Sequence, residues 1–424
     1  MPVIAAAAGT GEQARTVLAA GKGSLTLPGC GPVVVNAGQS GYYRTLYAPA
    51  AFAPLAGRFA TLAPIDQIGL LADTGARFRR PAARVELPRP GRGHAAGRRT
   101  PVWARVAIGY DDLLAMYGGD KAGSARLASH AIARLAPVMA QVGWTASPGE
   151  ATSTATLRER LIATLSHLGD PATIAEARRR YRAMDSDPQA VPGALRKTIL
   201  AVVAEHADGA TWNDLHAAAR AEKSPMVKDA MYILLASPRD PALAARALAL
   251  ALTEEPGATN GAAMIDAVSR LHPDLAVDFT LANLEAVNAR VDASSRSRYV
   301  PTLADGSVLP ATADKLRAYA EAHIAPQARR DAETAIAAIG DRIKVRRERL
   351  PEIDAWLARH AVKPPAANAG ACGSALGCVL PMRATMRSPA PCRHRGAGPP
   401  FVRPPSPPGA RPSTAPAASR CPVP

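Results

Sequence analysis

The sequence predicts a mainly α protein: an αα-superhelix of helical repeats, preceded by the remnant of a small β-sandwich and followed by a disordered tail. Three observations carry this. Outside residues 75–101, apolar residues recur at spacings of three and four from about residue 50 to residue 360. A turn that ends in a helix-starting residue returns at Asp170, Asp208, Asp240 and His272, in steps of 38, 32 and 32. Aromatic residues make up only 4% of the chain. The core must therefore be built from Ala, Leu, Val and Ile, which suits closely packed helices.

Residues 1–48 read as strands. "MPVIAAAA" is a short apolar run, and "SLTLPGCGPVVVNAG" alternates in part between proline and glycine breaks. "NAGQSG" is a turn cluster. In "YYRTLY", Tyr43, Thr45 and Tyr47 fall on one face of a strand, with Tyr42, Arg44 and Leu46 on the other. About four strands in fewer than fifty residues are too few for an independent β domain, so this segment reads as the end of a preceding one.

Residues 49–362 read as the helical domain. "PIDQIGLLADT" opens with Pro64 and Asp66, and "VWARVAIGYDDLLAMYGG" follows as a further helix. Between them, residues 75–101 form an aberrant segment of Arg, Pro and Gly with no period. From 154 to 360 helix follows helix. Pro171, Pro241 and Pro273 each fall in a first helical turn, where the missing N–H costs nothing. Asp170 and Asp240 are natural N-caps before them. A period in the thirties with two helices per step is the signature of HEAT-like repeats. Residues 363–424 are Pro, Ala, Gly, Ser and Arg and are expected to be disordered.

The formal charge is +16, which taken alone suggests a nucleic-acid binder. Its distribution argues otherwise. Residues 77–100 carry eight Arg against Glu86, and residues 364–424 carry seven Arg and no acid. Those two stretches hold all but +2 of the charge, so the folded body is nearly neutral. No basic face is interleaved with aromatics, as a single-strand binding groove would need. Neither nucleic acid nor membrane is an expected partner: no window approaches the roughly twenty apolar residues of a spanning helix. The N-terminus shows no export signal, which leaves the cytoplasm as the default location.

Chemistry-bearing motifs are few. The five cysteines, Cys30 in the body and Cys372, Cys378, Cys392 and Cys421 in the tail, match no tight zinc spacing. "GTGEQ" at Gly9 and "GKGS" at Gly21 lack the strand–turn–helix context of a phosphate loop. His167, His206 and His216 lie on predicted helices and read as surface or capped core residues rather than ligands. Asp111 and Asp112 read as a solvated helix start, and "RRRYRAM" at 178–184 as a solvated outer face. Trp212 and Trp356 read as core. "NGAAMID" at Asn260 lies inside a predicted helix, which argues against a binding loop. No catalytic, cofactor-binding or metal-ligating residue is assigned.

"VVVNAGQSGYYRTLY" resembles a seam in the large zinc aminopeptidases of the aminopeptidase N and puromycin-sensitive aminopeptidase family. Asn36, Gly38, Gln39, Gly41, Tyr42, Tyr43, Arg44 and Tyr47 match it; Thr45 replaces the usual Val. "PIDQIGLLADT" is similar to the helix that follows, with Asp66, Leu70 and Asp73 in register and Gln67 in place of Arg. Trp103, "YVPTLADGS" and "LPEIDAWLA" fit later helices. The resemblance spans about residues 2–360 and is to an N-terminally truncated C-terminal helical domain of the endoplasmic-reticulum-aminopeptidase type. It implies that the seam closes a β-sandwich and leads into a superhelix. It also implies a parent reaction that removes N-terminal residues from peptides with one zinc ion. That chemistry needs H-E-x-x-H with a distant Glu, a G-x-M-E-N loop and an oxyanion Tyr, none of which can be placed here. The chain alone is therefore expected to be inactive, a structural module bordering the substrate cavity, with the catalytic domain and peptides as partners. A stand-alone interaction scaffold is the alternative. A local frame shift in GC-rich DNA would account for both residues 75–101 and the tail; genomic reads in frame through both would count against it.

Overall fold

A computed structural model describes residues 1–360, except 9, 10, 20, 29, 30, 78–98, 185 and 188, together with residues 420 and 421. Strand β1 (Pro2–Ala7) pairs antiparallel with β2 (Gln13–Val17) on one side and β4 (Val33–Val35) on the other. A short β3 (Leu27–Pro28) pairs with β5 (Arg420–Cys421). So two residues of the tail expected to be disordered, Arg420 and Cys421, lie in a strand. Residues 42–47 are not in one, which corrects the reading of "YYRTLY". Their exposure does alternate as expected: Tyr43, Thr45 and Tyr47 point inward, Tyr42, Arg44 and Leu46 outward. The ladder fails because side chains take its donors. Thr45 N–H donates to Asp73, and Val35 N–H to the Tyr47 hydroxyl.

Helices α1 (Pro49–Gly57) and α2 (Pro64–Arg77) lie against this sheet. Phe52, Leu55, Phe59, Leu62 and Leu70 close a small core with Val34 and Tyr47. The aberrant segment narrows at both ends, since α2 runs to Arg77 and α3 (Thr100–Met116) starts before Trp103. The rest of that segment lies outside the described residues, as do Gly9, Cys30, Cys372, Cys378 and Cys392.

From α3 onward the helices form two layers. The first holds α3, α5 (Thr152–His167), α7 (Gly193–Glu205), α9 (Pro225–Leu235), α11 (Ala258–Ser269) and α14 (Arg296–Leu303). Each packs closely on the next. The second holds α4 (Lys121–Val142), α6 (Pro171–Ala183), α8 (Gly209–Ala221), α10 (Pro241–Ala251), α12 (Pro273–Ala282) with the short α13 (Leu284–Asn288), and α15 (Pro310–His323). Neighbours in this layer barely touch. The two end helices of the first layer, α3 and α14, also touch α16 (Arg330–Arg359).

The repeat markers start the second-layer helices. Asp170, Asp208 and Asp240 cap α6, α8 and α10 through the N–H groups of Thr173, Thr211 and Ala242. His272 precedes α12 without capping it. Its Nε2 instead bonds the Pro238 carbonyl of the preceding turn at 2.9 Å, so one repeat is tied to the next. Alanine fills the interior as composition demanded: Ala219, Ala236, Ala244, Ala247 and Ala251 are buried around Trp212 and Tyr232. Trp356 is half-buried against the core of the first helices.

The last helix, α16 (Arg330–Arg359), has thirty residues, about 45 Å at 1.5 Å per residue. Its first half buries Ala332 and Ile339 in the core of the later repeats. Its second half buries Leu350 and Leu357 in that of α3–α7. Asp354 fixes the far end: the Tyr117 hydroxyl donates to it at 3.1 Å and Arg126 lies 3.0 Å away. Tyr117 is fully buried, and in this site its hydroxyl would be left unpaired by Asp354→Ala. We expect that variant to lose about 1–3 kcal/mol. In hydrogen exchange the loss should concentrate in residues 345–360; unchanged protection there would contradict the role given to Asp354.

Candidate functional site

The eight seam residues fall between β4 and α1, and the structure joins them to α2. Asn36 is 2% exposed and adopts φ 62°, ψ 39°, a left-handed conformation that Asn tolerates better than most residues. Its Nδ2 donates to the Gly41 carbonyl at 3.0 Å, and its Oδ1 accepts from Gly41 N–H at 2.8 Å. One side chain thus closes the loop 36–41. Gly38 has φ 72°, and its N–H donates to Asp66 at 2.7 Å. A Cβ on Gly41 would stand 2.2 Å from the Tyr43 ring, so that position requires glycine. Gln39 lies over Gly69 of α2, where a Cβ would meet its amide at 2.0 Å.

Asp73 receives the second half of the motif. It accepts from Thr45 N–H at 3.2 Å and pairs with Arg44 at 3.5 Å. Burial pushes its carboxyl above the usual range, against the pull of Thr45 and Arg44. Burial likewise pushes the Tyr47 phenol up to about 12, opposed by its bond to the Val35 backbone. Gln67, in the place of the family's Arg, is 2% exposed and donates to the carbonyls of Phe59 at 2.9 Å and Leu62 at 3.1 Å. An uncharged amide there satisfies two carbonyls without burying a charge. Asp73→Ala leaves Thr45 N–H without its acceptor and should cost about 1–2 kcal/mol in urea unfolding. A loss below about 0.5 kcal/mol would contradict this account of the seam.

A second polar cluster lies where α3, α5 and α7 meet. Asp111 accepts from the Thr164 hydroxyl at 2.6 Å and from His167 Nδ1 at 3.2 Å. His167 Nε2 lies 3.5 Å from Glu205 Oε2. Glu205 also accepts from Arg239 at 2.6 Å and from the Ser166 hydroxyl at 3.1 Å. His206 Nε2 donates to the Ser166 carbonyl at 3.1 Å. Asp111 is thus in mid-helix and well partnered, a correction to the reading of a solvated helix start. The run at 178–184 is corrected too. Arg178 donates to the His206 carbonyl. Arg180, 11% exposed at its side chain, bonds Glu176 and the Ala190 carbonyl and lies over the Trp144 ring. Arg178 and Arg180 turn inward because the carbonyls of His206, at the end of α7, and of Ala190, in the turn before it, need donors, while Arg179 and Arg182 stay exposed as expected.

Ser166, His206 and Glu205 are the residue types of a nucleophile, base and acid. Ser166 is fully buried, and the same His206 nitrogen faces both of the others, at 3.0 Å and 4.0 Å. Among the described residues no acid bonds the other ring nitrogen, and the Ser166 hydroxyl donates to Glu205 rather than to the ring, so the arrangement does not activate the hydroxyl.

A family model described as the ERAP1-like C-terminal domain matches residues 32–341. The chain belongs to this family. The ERAP1-like match begins just before β4, takes in the whole seam, and ends within α16. It supports the chain as a C-terminal domain of an aminopeptidase. The family resemblance implies zinc, and the described residues do not fit it: none of them form a group of three or more His, Cys, Asp or Glu able to hold a metal ion. His216 bonds Glu255 at 2.6 Å beside Tyr232, and Asn260 in the first turn of α11 bonds Asp229. Gly21 lies in a turn with no helix after it. Among the described residues no helix is long and apolar enough to cross a membrane.

Sequence reasoning missed three features of this ERAP1-like domain. It did not pair Asp111 with His167 and Glu205, it did not bring α16 back to α3 and α4, and it passed over Arg158. That residue is 2% exposed, and its side chain bonds Glu150 and the carbonyls of Val142 and Gly143. An unbalanced Arg on the apolar face of α5 was the available signal.

Proposed function

We propose that this chain is the helical domain of a zinc aminopeptidase, and that its first helix layer borders the space holding the part of a peptide beyond the bond being cut. On this reading the hydrolytic centre lies in a catalytic domain outside this sequence, and the domain here shapes access to it. The observation that carries the reading is the seam. Two motifs that resemble the aminopeptidase family, residues 36–47 and 66–73, come together residue by residue through Gly38–Asp66 and Thr45–Asp73. The close packing of the first layer beside a loose second layer supports the cavity role, because a solenoid of stacked helix pairs that curves toward its tighter layer presents a concave face there.

Zinc, when bound, would supply a polarised water for peptide hydrolysis. This chain's residues would position and not react. The purified chain should therefore release no p-nitroaniline from leucine p-nitroanilide, with or without added zinc chloride. DNA preceding codon 1 should encode H-E-x-x-H and G-x-M-E-N. Zinc-dependent release by this chain alone would overturn the absence of a hydrolytic centre. Unrelated upstream DNA would overturn the assignment to an aminopeptidase cavity and leave a stand-alone scaffold.

A further inference from the structure

We propose that His167 is a proton-operated clasp, holding α3 and α7 to the end of α5 while protonated and releasing one of them when it loses its proton. The geometry is bidentate. Nδ1 faces Asp111 of α3 at 3.2 Å and Nε2 faces Glu205 of α7 at 3.5 Å. Carboxylate oxygens only accept, and a neutral imidazole has one N–H. The Asp111 contact is a hydrogen bond that a neutral ring can keep, whereas the Glu205 contact is an ion pair, so both hold the ring only in the imidazolium form. The His167 side chain is 42% exposed, so water can deliver and remove the proton. The carboxylates are more buried, at 19% and 8%, so the charges left facing the ring are poorly screened.

The groups that act on the ring are on the page. Burial works against its charge, but the Asp111 hydrogen bond and the fields of Glu205 and Asp111 outweigh this and the opposing Arg239, raising its pKa above the ordinary 6.5. Arg160, on the same helix, stands 3.9 Å from Asp111. Arg178 of α6 is occupied by the His206 carbonyl. His206 is shifted the other way: burial lowers its pKa, Glu205 opposing, so it stays neutral while His167 is charged. A raised folded pKa gives stability that is fully present below the unfolded value, about 6.5. That stability is lost as pH rises through the folded value. The clasp is closed in mild acid and open in mild alkali.

The test is hydrogen–deuterium exchange of the full chain between pH 5.5 and pH 9, after correction for intrinsic exchange rates. Exchange at the imidazole C2–H reports each histidine's pKa, and backbone exchange reports the helices. His167 should titrate above 6.5, and Asp111→Asn and Glu205→Gln should each lower that value. Amides at the end of α3 or of α7 should exchange about five-fold faster above the His167 pKa, the upper range for losing one partly exposed ion pair. His167→Gln should exchange fast at every pH. If that variant does not fold, the isosteric Asp111→Asn carries the same comparison. A His167 pKa at or below 6.5 would overturn the proposal. So would the same pH dependence of α3 and α7 in the variants as in the wild type.

Discussion

Arg158→Ala is expected to destabilise the protein by about 3–5 kcal/mol, the range for breaking a buried ion pair from one side. Arg158 Nη1 and Nη2 grip both oxygens of Glu150, at 2.7 and 2.5 Å, while Nε and Nη2 reach the Gly143 and Val142 carbonyls at 2.7 and 3.1 Å. The side chain is 3% exposed and that of Glu150 12%. Those carbonyls end α4, where a cation meets the negative pole of the helix. The alanine variant leaves a carboxylate and two carbonyls without their donor. Arg158→Lys should recover little, because an ammonium cannot reproduce the planar fork. A double-mutant cycle with Glu150→Gln should show coupling above about 1 kcal/mol. The pair also predicts a pH dependence. The Arg158 hydrogen bond holds the Glu150 carboxyl below its ordinary 4.5. That stabilisation is present above pH 4.5 and is lost as pH falls through the depressed folded value. Wild type should lose it in acid, whereas Arg158→Ala has none to lose. Urea midpoints at pH 7 and pH 3 measure both; a gap between the two proteins that does not shrink in acid would contradict the assignment.

Asn36→Ala should cost about 2–4 kcal/mol, combining two lost hydrogen bonds with a left-handed backbone that alanine resists. Asn36→Gly separates the two causes. It keeps the conformation and loses only the bonds to Gly41, so it should be about 1 kcal/mol more stable than the alanine variant. If alanine and glycine variants are equally stable, the left-handed backbone at position 36 is not what selects asparagine. Loss of the loop should also free Gly38 from Asp66, and exchange of residues 36–45 should rise in either variant.

What was legible in the sequence is what local chemistry fixes. Asp170, Asp208 and Asp240 announce helix starts because a short acceptor before a first turn has few other uses. Asp66, Leu70 and Asp73 could be set in register because they share one helical face. Trp212 reads as core from its spacing to Leu215. The strand expected at 42–47 failed instructively. The inside–outside alternation was correct, yet alternation describes where side chains go and not which group accepts an N–H. Asp73, twenty-eight residues downstream of Thr45, took the donor a strand would have offered. Pairings over longer separations left no trace. Asp111 and His167 are 56 residues apart and belong to different helices of the first layer. Each alone reads as an ordinary surface charge.

The return of α16 to the first helices has a consequence for how the protein is made. The Tyr117–Asp354 bond joins residues 237 positions apart. At about 5–20 residues per second, Tyr117 is synthesised roughly ten to fifty seconds before Asp354. During that time α3 and α4 wait beside the ribosome with the seat for Leu350 and Leu357 unfilled. Nascent chains of intermediate length thus carry an open apolar notch that later repeats cannot fill. Their need for chaperone cover should end with the synthesis of the last helix.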